Sequence, residues 1–287
     1  MITHPVHDYP ELARALGLST SHDSHEHVAI VGGGGKTTTM FALGAQLAGS
    51  RILTTTTKMG ADQHRGLPVL LDPNDDQIRQ FHTGAYASEP ADPNQVFHPV
   101  PPDAGQVVIW RATDGSKALG VHPDDCDRWF TEVDHVVVEA DGARRRPFKA
   151  PKPGEPVIPN STTRFVVVMG ANALGRVIID QCQRPLRVAA LADCRPGDRL
   201  TAEGAVRVIT HERGYRPHVP EGAAVSVVVT QATAEPESAA GQQRTEAVAE
   251  LYERLQSVAN QPWWRHHDFR VVLIRSFGDA SIPSKKR

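Results

Sequence analysis

Four glycines, Gly32 to Gly35, run straight into Lys36 and Thr37. A bare backbone loop followed by a cation and a hydroxyl is the chemistry of phosphate binding. Glycines let backbone N–H groups turn toward phosphate oxygens without Cβ clashes. Lys36 would reach terminal phosphates and the Thr37 hydroxyl would ligate Mg²⁺, with Thr38 beside them in the same turn. A second set is Glu139 and Asp141, which close the apolar run His135 to Val138. Two residues apart on an extended strand, they point to one side. Carboxylates there hold Mg²⁺ or orient an attacking water, and the spacing does not say which acid touches metal. The alternative is an ordinary acidic strand end. A third set is Arg144, Arg145 and Arg146, with Lys149 and Lys152, in the proline-rich stretch Gly142 to Gly154. Leaving an acidic strand end, this loop is expected to lie over the phosphates. There it would stabilise transition-state charge or clamp an anionic second substrate. A solvated basic turn is the competing explanation. A fourth set is Thr54 to Thr57 with Lys58. Thr56, Thr57 and Lys58 are expected at the phosphates or the second substrate, although threonine is also simply a good strand former.

These residues need a parallel sheet to bring them together. Val28 to Val31 reads as a buried strand, and Met40, Leu43 and Leu47 give the following helix an apolar face that stops at Gly49. A helix N-terminus adds partial positive charge at the glycine loop. The full pattern G-x-x-x-x-G-K-[ST] needs glycine where this chain has Ile30, leaving the shorter G-x-x-G-K-T. That form also occurs in Mur-type ligases, and a glycine-rich turn without a ligand would look similar. Arg51 to Thr57 reads as a second strand, parallel to the first through a right-handed crossover, its carboxyl end on the phosphate edge.

The remaining chain supplies further strands at Val69 to Leu71, Val107 to Ala112, Arg164 to Gly170, Ala224 to Thr230 and Arg270 to Ile274, the last closing the sheet. Helices are expected over Asp76 to Phe81, Pro123 to Phe130, Arg187 to Leu191, Thr201 to Ile209 (Thr201 as N-cap) and Thr245 to Val258. Asp114-Gly115 and Gly120 mark a hairpin with Ala118 to Val121. Residues 83–105 and 233–243 read as loops, and 279–287 as a frayed tail. Asn172, Gly175 and Arg176 fall at a strand end, a cleft position. Trp263 and Trp264 are expected to pack rather than stack on a ligand. Residues 1–26 read as a leader with one short helix, its His22, His25 and His27 solvated rather than metal-bound.

Composition is that of an ordinary globular chain of 287 residues. A formal charge of −2 gives no overall pull toward nucleic acid or membrane. The basic patch is short and holds one aromatic, Phe148, which argues against nucleic acid. No apolar run reaches the roughly 20 residues of a membrane span. Cys126, Cys182 and Cys194 show no C-x-x-C spacing, which fits a reduced cytoplasmic protein.

Taken in order, Val31-Gly-Gly-Gly-Gly-Lys-Thr-Thr-Thr-Met40, Leu53-Thr-Thr-Thr-Thr-Lys-Met59, Val138-Glu-Ala-Asp-Gly-Ala-Arg-Arg-Arg-Pro-Phe-Lys-Ala-Pro151, Glu155-Pro-Val-Ile-Pro159, Leu200-Thr-Ala-Glu-Gly204 and His211-Glu-Arg-Gly214 resemble the YqeC family of selenium-dependent hydroxylase accessory proteins. The resemblance runs from about Leu12 to about Val229. It implies a P-loop fold and a role in maturing molybdenum-containing hydroxylases, without defining the reaction. Partners would be an apo molybdenum hydroxylase or its maturation factors, and the second ligand a pterin-phosphate cofactor. Where related P-loop proteins carry a base-reading N-Q-x-D, this chain has Thr230-Gln-Ala-Thr233. The missing carboxylate argues against guanine, so ATP is favoured over GTP.

The expectation is therefore an α/β, P-loop NTPase-like domain over residues 27–278. Its mainly parallel sheet would have about seven strands flanked by helices. Bound ATP and Mg²⁺ would be hydrolysed, with Lys36, Glu139, Asp141, Arg144 and Arg145 as the reacting set, and Thr37, Glu139 and Asp141 around the metal. A non-hydrolysing, nucleotide-gated chaperone or cofactor-binding module is one alternative. A Mur-like ATP-dependent ligase is another, for which the chain is short.

Overall fold

The computed structural model describes residues 6–85, 105–233 and 239–275. Nine strands form one sheet: β1 (Val6–His7), β2 (Glu26–Gly32), β3 (Arg51–Thr55), β4 (Val69–Leu71), β5 (Gln106–Trp110), β6 (His135–Glu139), β7 (Arg164–Gly170), β8 (Ala224–Thr230) and β9 (Phe269–Ile274). Their spatial order is β1-β9-β8-β7-β2-β6-β3-β5-β4, and every neighbouring pair is parallel.

Parallel sheets are covered on both faces, so their strands read as continuous apolar runs whose alternate residues serve different layers. Val136 and Val138 join one hydrophobic cluster while Val137 joins the other. Phe165, Val167 and Met169 divide from Val166 and Val168 in the same way. One layer is covered by helix α1 (Lys36–Gly44) through Met40, Phe41 and Leu43, and by a helical turn at Leu12–Ala15. The other is covered by α2 (Asp75–His82), α3 (Pro123–Phe130), α4 (Pro185–Ala192), α5 (Ala202–Thr210) and α6 (Ala239–Val258). Helices α2, α3 and α5 start where side chains cap them. Asn74 accepts from the Gln77 N–H at 2.9 Å, and Thr201 accepts from the Gly204 N–H at 3.0 Å. A small antiparallel sheet, Lys58–Gly60, Ala112–Asp114 and Lys117–Leu119, stands beside the main one and contains the expected hairpin.

Three expectations change. The sheet has nine strands rather than about seven; one of them, β1, comes from the leader, pairs with β9 and displaces Phe269–Ile274 from the edge. The leader is solvated only in part, with residues 19–23, His22 among them, and His25 exposed as expected. Leu12, Ala13, Leu16 and Leu18 are buried, and so is His27. Helix α6 begins at Ala239, inside the stretch read as a loop. Residues 86–104, most of the other expected loop, and the expected tail at 279–287 lie outside the described residues.

From β2 the chain crosses through α1 to β3, on one side. From its neighbour β7 it proceeds to β8, on the other. Diverging connections at adjacent carboxyl ends open a crevice, the usual ligand position of an open parallel sheet. The glycine loop lies in that crevice.

Candidate functional site

Three of the four glycine amides of the loop have acceptors. The Gly32 N–H donates to both carboxylate oxygens of Asp141, at 3.1 Å each. The Gly33 N–H donates to Val168 O at 2.8 Å and the Gly34 N–H to Arg146 O at 3.0 Å. Beyond them, Gly35 is the N-cap of α1 without a side-chain cap, its φ of +126° open to glycine alone. As a result the N–H groups of Gly35, Lys36, Thr37 and Thr38 have no acceptor among the described residues. The loop carbonyls are taken instead: Gly32 O by the Lys36 ammonium at 2.9 Å and Gly34 O by the Thr230 hydroxyl. Free donors and occupied acceptors at a helix N-terminus favour an anion.

Lys36, Glu139 and Asp141 meet here as their spacing requires. The Lys36 ammonium is buried, 3.3 Å from Asp141 Oδ1 and 3.5 Å from Glu139 Oε1. Burial works against its charge, but Glu139 and then Asp141 outweigh it and raise its pKa above the ordinary value. The Thr37 hydroxyl donates to Glu139 Oε2 at 2.7 Å.

The two acids are not equivalent. Glu139 faces a cavity of about 920 Å³. Asp141 is fully buried and lies behind the loop, with Lys149 Nζ 2.8 Å from Oδ2. Lys149 is fully buried too. It also donates to Gly142 O at 2.8 Å and sits 3.4 Å from Glu155. Burial lowers its pKa against the pull of Asp141. Arg184 completes the chain at 2.5 Å from Glu155. Burial pushes the Glu155 pKa up, but Lys149 and Arg184 outweigh it, so the pKa is lowered. Behind the loop, Lys36, Lys149 and Arg184 thus balance Glu139, Asp141 and Glu155.

Several expected site residues are placed differently. Lys149 is beneath the loop rather than over it. Its surroundings in Pro147-Phe148-Lys149-Ala150, an otherwise apolar and buried run, were the available signal. Arg144, Arg145 and Arg146 are exposed and line the cavity, as expected of that loop, and Arg146 also donates to Asp180 O. The threonine run is committed to backbone. Thr54 donates to Ile109 O at 2.7 Å, Thr55 to Glu139 O at 2.7 Å and Thr56 to Val157 O at 2.8 Å. Thr57 lies 3.3 Å from the Thr55 hydroxyl. Neither Thr56 nor Thr57 lines the cavity, whereas Lys58, exposed and 3.9 Å from Asp114, does. Asn172, Gly175 and Arg176 are likewise absent from its lining. Thr230 and Gln231, at the expected base-reading position, are present. Tyr9, which nothing in the sequence marked, is there as well, its hydroxyl 3.4 Å from where a Cβ on Gly35 would stand. Burial pushes that phenol up to about 12.

A hard cation could be served by the Thr37 hydroxyl and the Glu139 carboxylate, both oxygen donors. Among the described residues no group of three or more His, Cys, Asp or Glu is arranged to hold a metal by itself. A cation here would share its remaining coordination with a bound anion and water.

The YqeC protein family profile matches residues 28–186, from the strand before the glycine loop to the start of α4. The chain belongs to the YqeC family. The uncharacterized protein YqeC of Escherichia coli (strain K12) is 30% identical over 200 residues, covering 68% of this chain and 72% of that protein. The matched segment contains the glycine loop, Glu139, Asp141, the three arginines and Lys149. Among the described residues no helix is long and apolar enough to cross a membrane.

Proposed function

We propose that this YqeC protein binds ATP with Mg²⁺ in the glycine-loop crevice and hydrolyses it, as an accessory factor in the maturation of a molybdenum-containing hydroxylase. The observation that carries the nucleotide reading is the cup of unclaimed N–H groups from Gly35 to Thr38, set beside Lys36, Thr37 and Glu139 and opening into a cavity lined by cations. Lys36 contacts the terminal phosphates, and the arginines of 144–146 line the same cavity, where they face the phosphates or an anionic second substrate. Thr37 and Glu139 hold the Mg²⁺, which supplies charge neutralisation of the phosphates. Asp141 has a different task from the one its position in sequence suggests. With both oxygens engaged by the Gly32 N–H, and by Lys36 and Lys149, it tethers the glycine loop to β6. The accessory role, the hydroxylase partner and a pterin-phosphate second ligand rest on the family resemblance alone. ATP is preferred to GTP because no carboxylate stands at Gln231 to Thr233 to read guanine.

A second reading, a nucleotide-gated binding module without turnover, is favoured by one observation. Asp141 is too fully engaged to activate water, and Glu139 already holds Thr37 and Lys36. Phosphate release from ATP, measured with and without Mg²⁺ in wild type, Thr37→Val and Glu139→Gln, separates the two. Mg²⁺-dependent turnover that falls by about tenfold or more in both variants supports hydrolysis. Binding without turnover moves the function to the module, and absence of binding removes both.

A further inference from the structure

The cavity is larger and more basic than the phosphate cup needs, and its excess charge lies on a part of the wall outside α1. That wall is built by the small antiparallel sheet and by the 144–145 corner. It presents Lys58, Lys117, Arg144 and Arg145 against one carboxylate, Asp62. Lys36 is not part of this surplus, because Glu139 and Asp141 already answer it. Lys117, Arg144 and Arg145 have no ion-pair partner among the described residues, and Lys58 has only Asp114, at 3.9 Å. Three unanswered cations facing one space repel one another and raise the local potential for an anion.

The backbone adds a second, independent sign. Arg144 and Arg145 are consecutive non-glycine residues in the left-handed region, at φ +49° and +60°. Side chains with a Cβ rarely adopt it, and such strain gathers at ligand clamps. Here it turns two exposed guanidiniums toward one cavity. The volume, about 920 Å³, is near the upper end of the roughly 300–1,000 Å³ of single-ligand pockets.

We infer that the cavity holds two ligands at once: the nucleotide in the glycine cup and, on the outer wall of Lys58, Lys117, Arg144 and Arg145, a small dianion, a phosphate ester or a dicarboxylate. The inference rests on the nucleotide reading. It makes the outer wall the acceptor or cargo subsite of the same crevice. Arginines provide the forked donors that phosphate and carboxylate share, and the lysines provide point charge.

The test uses the full chain saturated with Mg²⁺ and a non-hydrolysable ATP analogue, titrated calorimetrically with glycerol phosphate, a simple phosphate monoester, and, separately, with succinate. One equivalent of either probe binding to the nucleotide-loaded protein is the expected result, and the tighter of the two identifies the chemistry. Lys117→Ala, an exposed change on the hairpin, should weaken the probe about threefold or more and leave analogue affinity unchanged. Arg144→Ala/Arg145→Ala should weaken the probe about tenfold or more. Probes that bind only in competition with the analogue, or Lys117→Ala weakening the analogue as much as the probe, would overturn the second subsite while leaving the nucleotide reading intact. An analogue that does not bind at all would remove the nucleotide reading, and this inference with it.

Discussion

Replacing Lys149 by methionine gives the sharpest view of what the buried charges do. The ammonium lies 2.8 Å from Asp141 Oδ2 and 3.4 Å from Glu155 Oε2, and its side chain is fully buried. Methionine preserves most of the volume but takes the charge away, leaving Asp141 with the Gly32 N–H and Lys36 at 3.3 Å. Breaking a buried pair by removing one partner costs about 3–5 kcal/mol, since the other charge stays in a medium that solvates it poorly. At about 2–4 °C per kcal/mol for a domain of this class, the unfolding midpoint should fall by roughly 10 °C. The double variant Asp141→Asn/Lys149→Met is the control. It leaves Lys36 with Glu139 and Arg184 with Glu155, so charge is balanced again, and most of the loss should return. Urea unfolding of wild type, both single variants and the double closes the cycle, with a coupling energy of about 2 kcal/mol or more expected between the two residues. A Lys149→Met loss below about 1 kcal/mol, or strict additivity in the double variant, would refute the claim that this pair anchors the loop.

Other consequences follow from single positions. Gly34→Ala places a Cβ against Gly170 N and Pro147 O, at a φ of +69°. Both obstacles are backbone, so nucleotide affinity should fall by more than tenfold and the midpoint should drop, as read by titration and melting together. Thr56→Val removes a hydroxyl bonded to Val157 O rather than one facing the cavity. It should cost about 1 kcal/mol of stability and leave nucleotide affinity within twofold, and a selective loss of affinity would restore Thr56 to the site. Burial holds the His27 pKa at about 4, below the ordinary 6.5. The native ring is therefore neutral while the unfolded one takes up a proton. Its contribution is complete above pH 6.5 and is lost as pH falls toward 4, by about 3 kcal/mol at most. His27→Gln should flatten the stability profile in that window, and an unchanged profile would contradict it.

What could be read in the sequence is local. Strand, glycine loop and helix from Val28 to Leu43 follow from apolar runs and glycine placement, and α3 starts and stops at Pro123 and Phe130 as expected. The Thr201 cap and the Gly115 hairpin are also set by neighbours in the chain. The rest depends on what packs from far away. Nothing near Val6 states that it will pair with Leu273, and nothing near Arg51 states that β6 will stand between β3 and β2. Lys149 shows the same limit within the site. A lysine following three arginines reads as part of a solvated basic loop until Asp141 and Glu155 are seen to enclose it. The threonine run fails in the opposite sense, since its hydroxyls suit a ligand in sequence and meet carbonyls of β5, β6 and residue 157 in space.

The central claim is that the N–H cup and Lys36 bind nucleotide phosphates. Calorimetric titration of ATP and GTP in the presence of Mg²⁺, on wild type and Lys36→Ala, tests it most directly, with the unfolding midpoint of each confirming that the variant is folded. The account predicts that wild type binds ATP more tightly than GTP, and that Lys36→Ala loses about 2 kcal/mol or more of ATP binding, roughly thirtyfold. Equal ATP affinity in a folded Lys36→Ala protein, or no nucleotide binding to wild type, would contradict it.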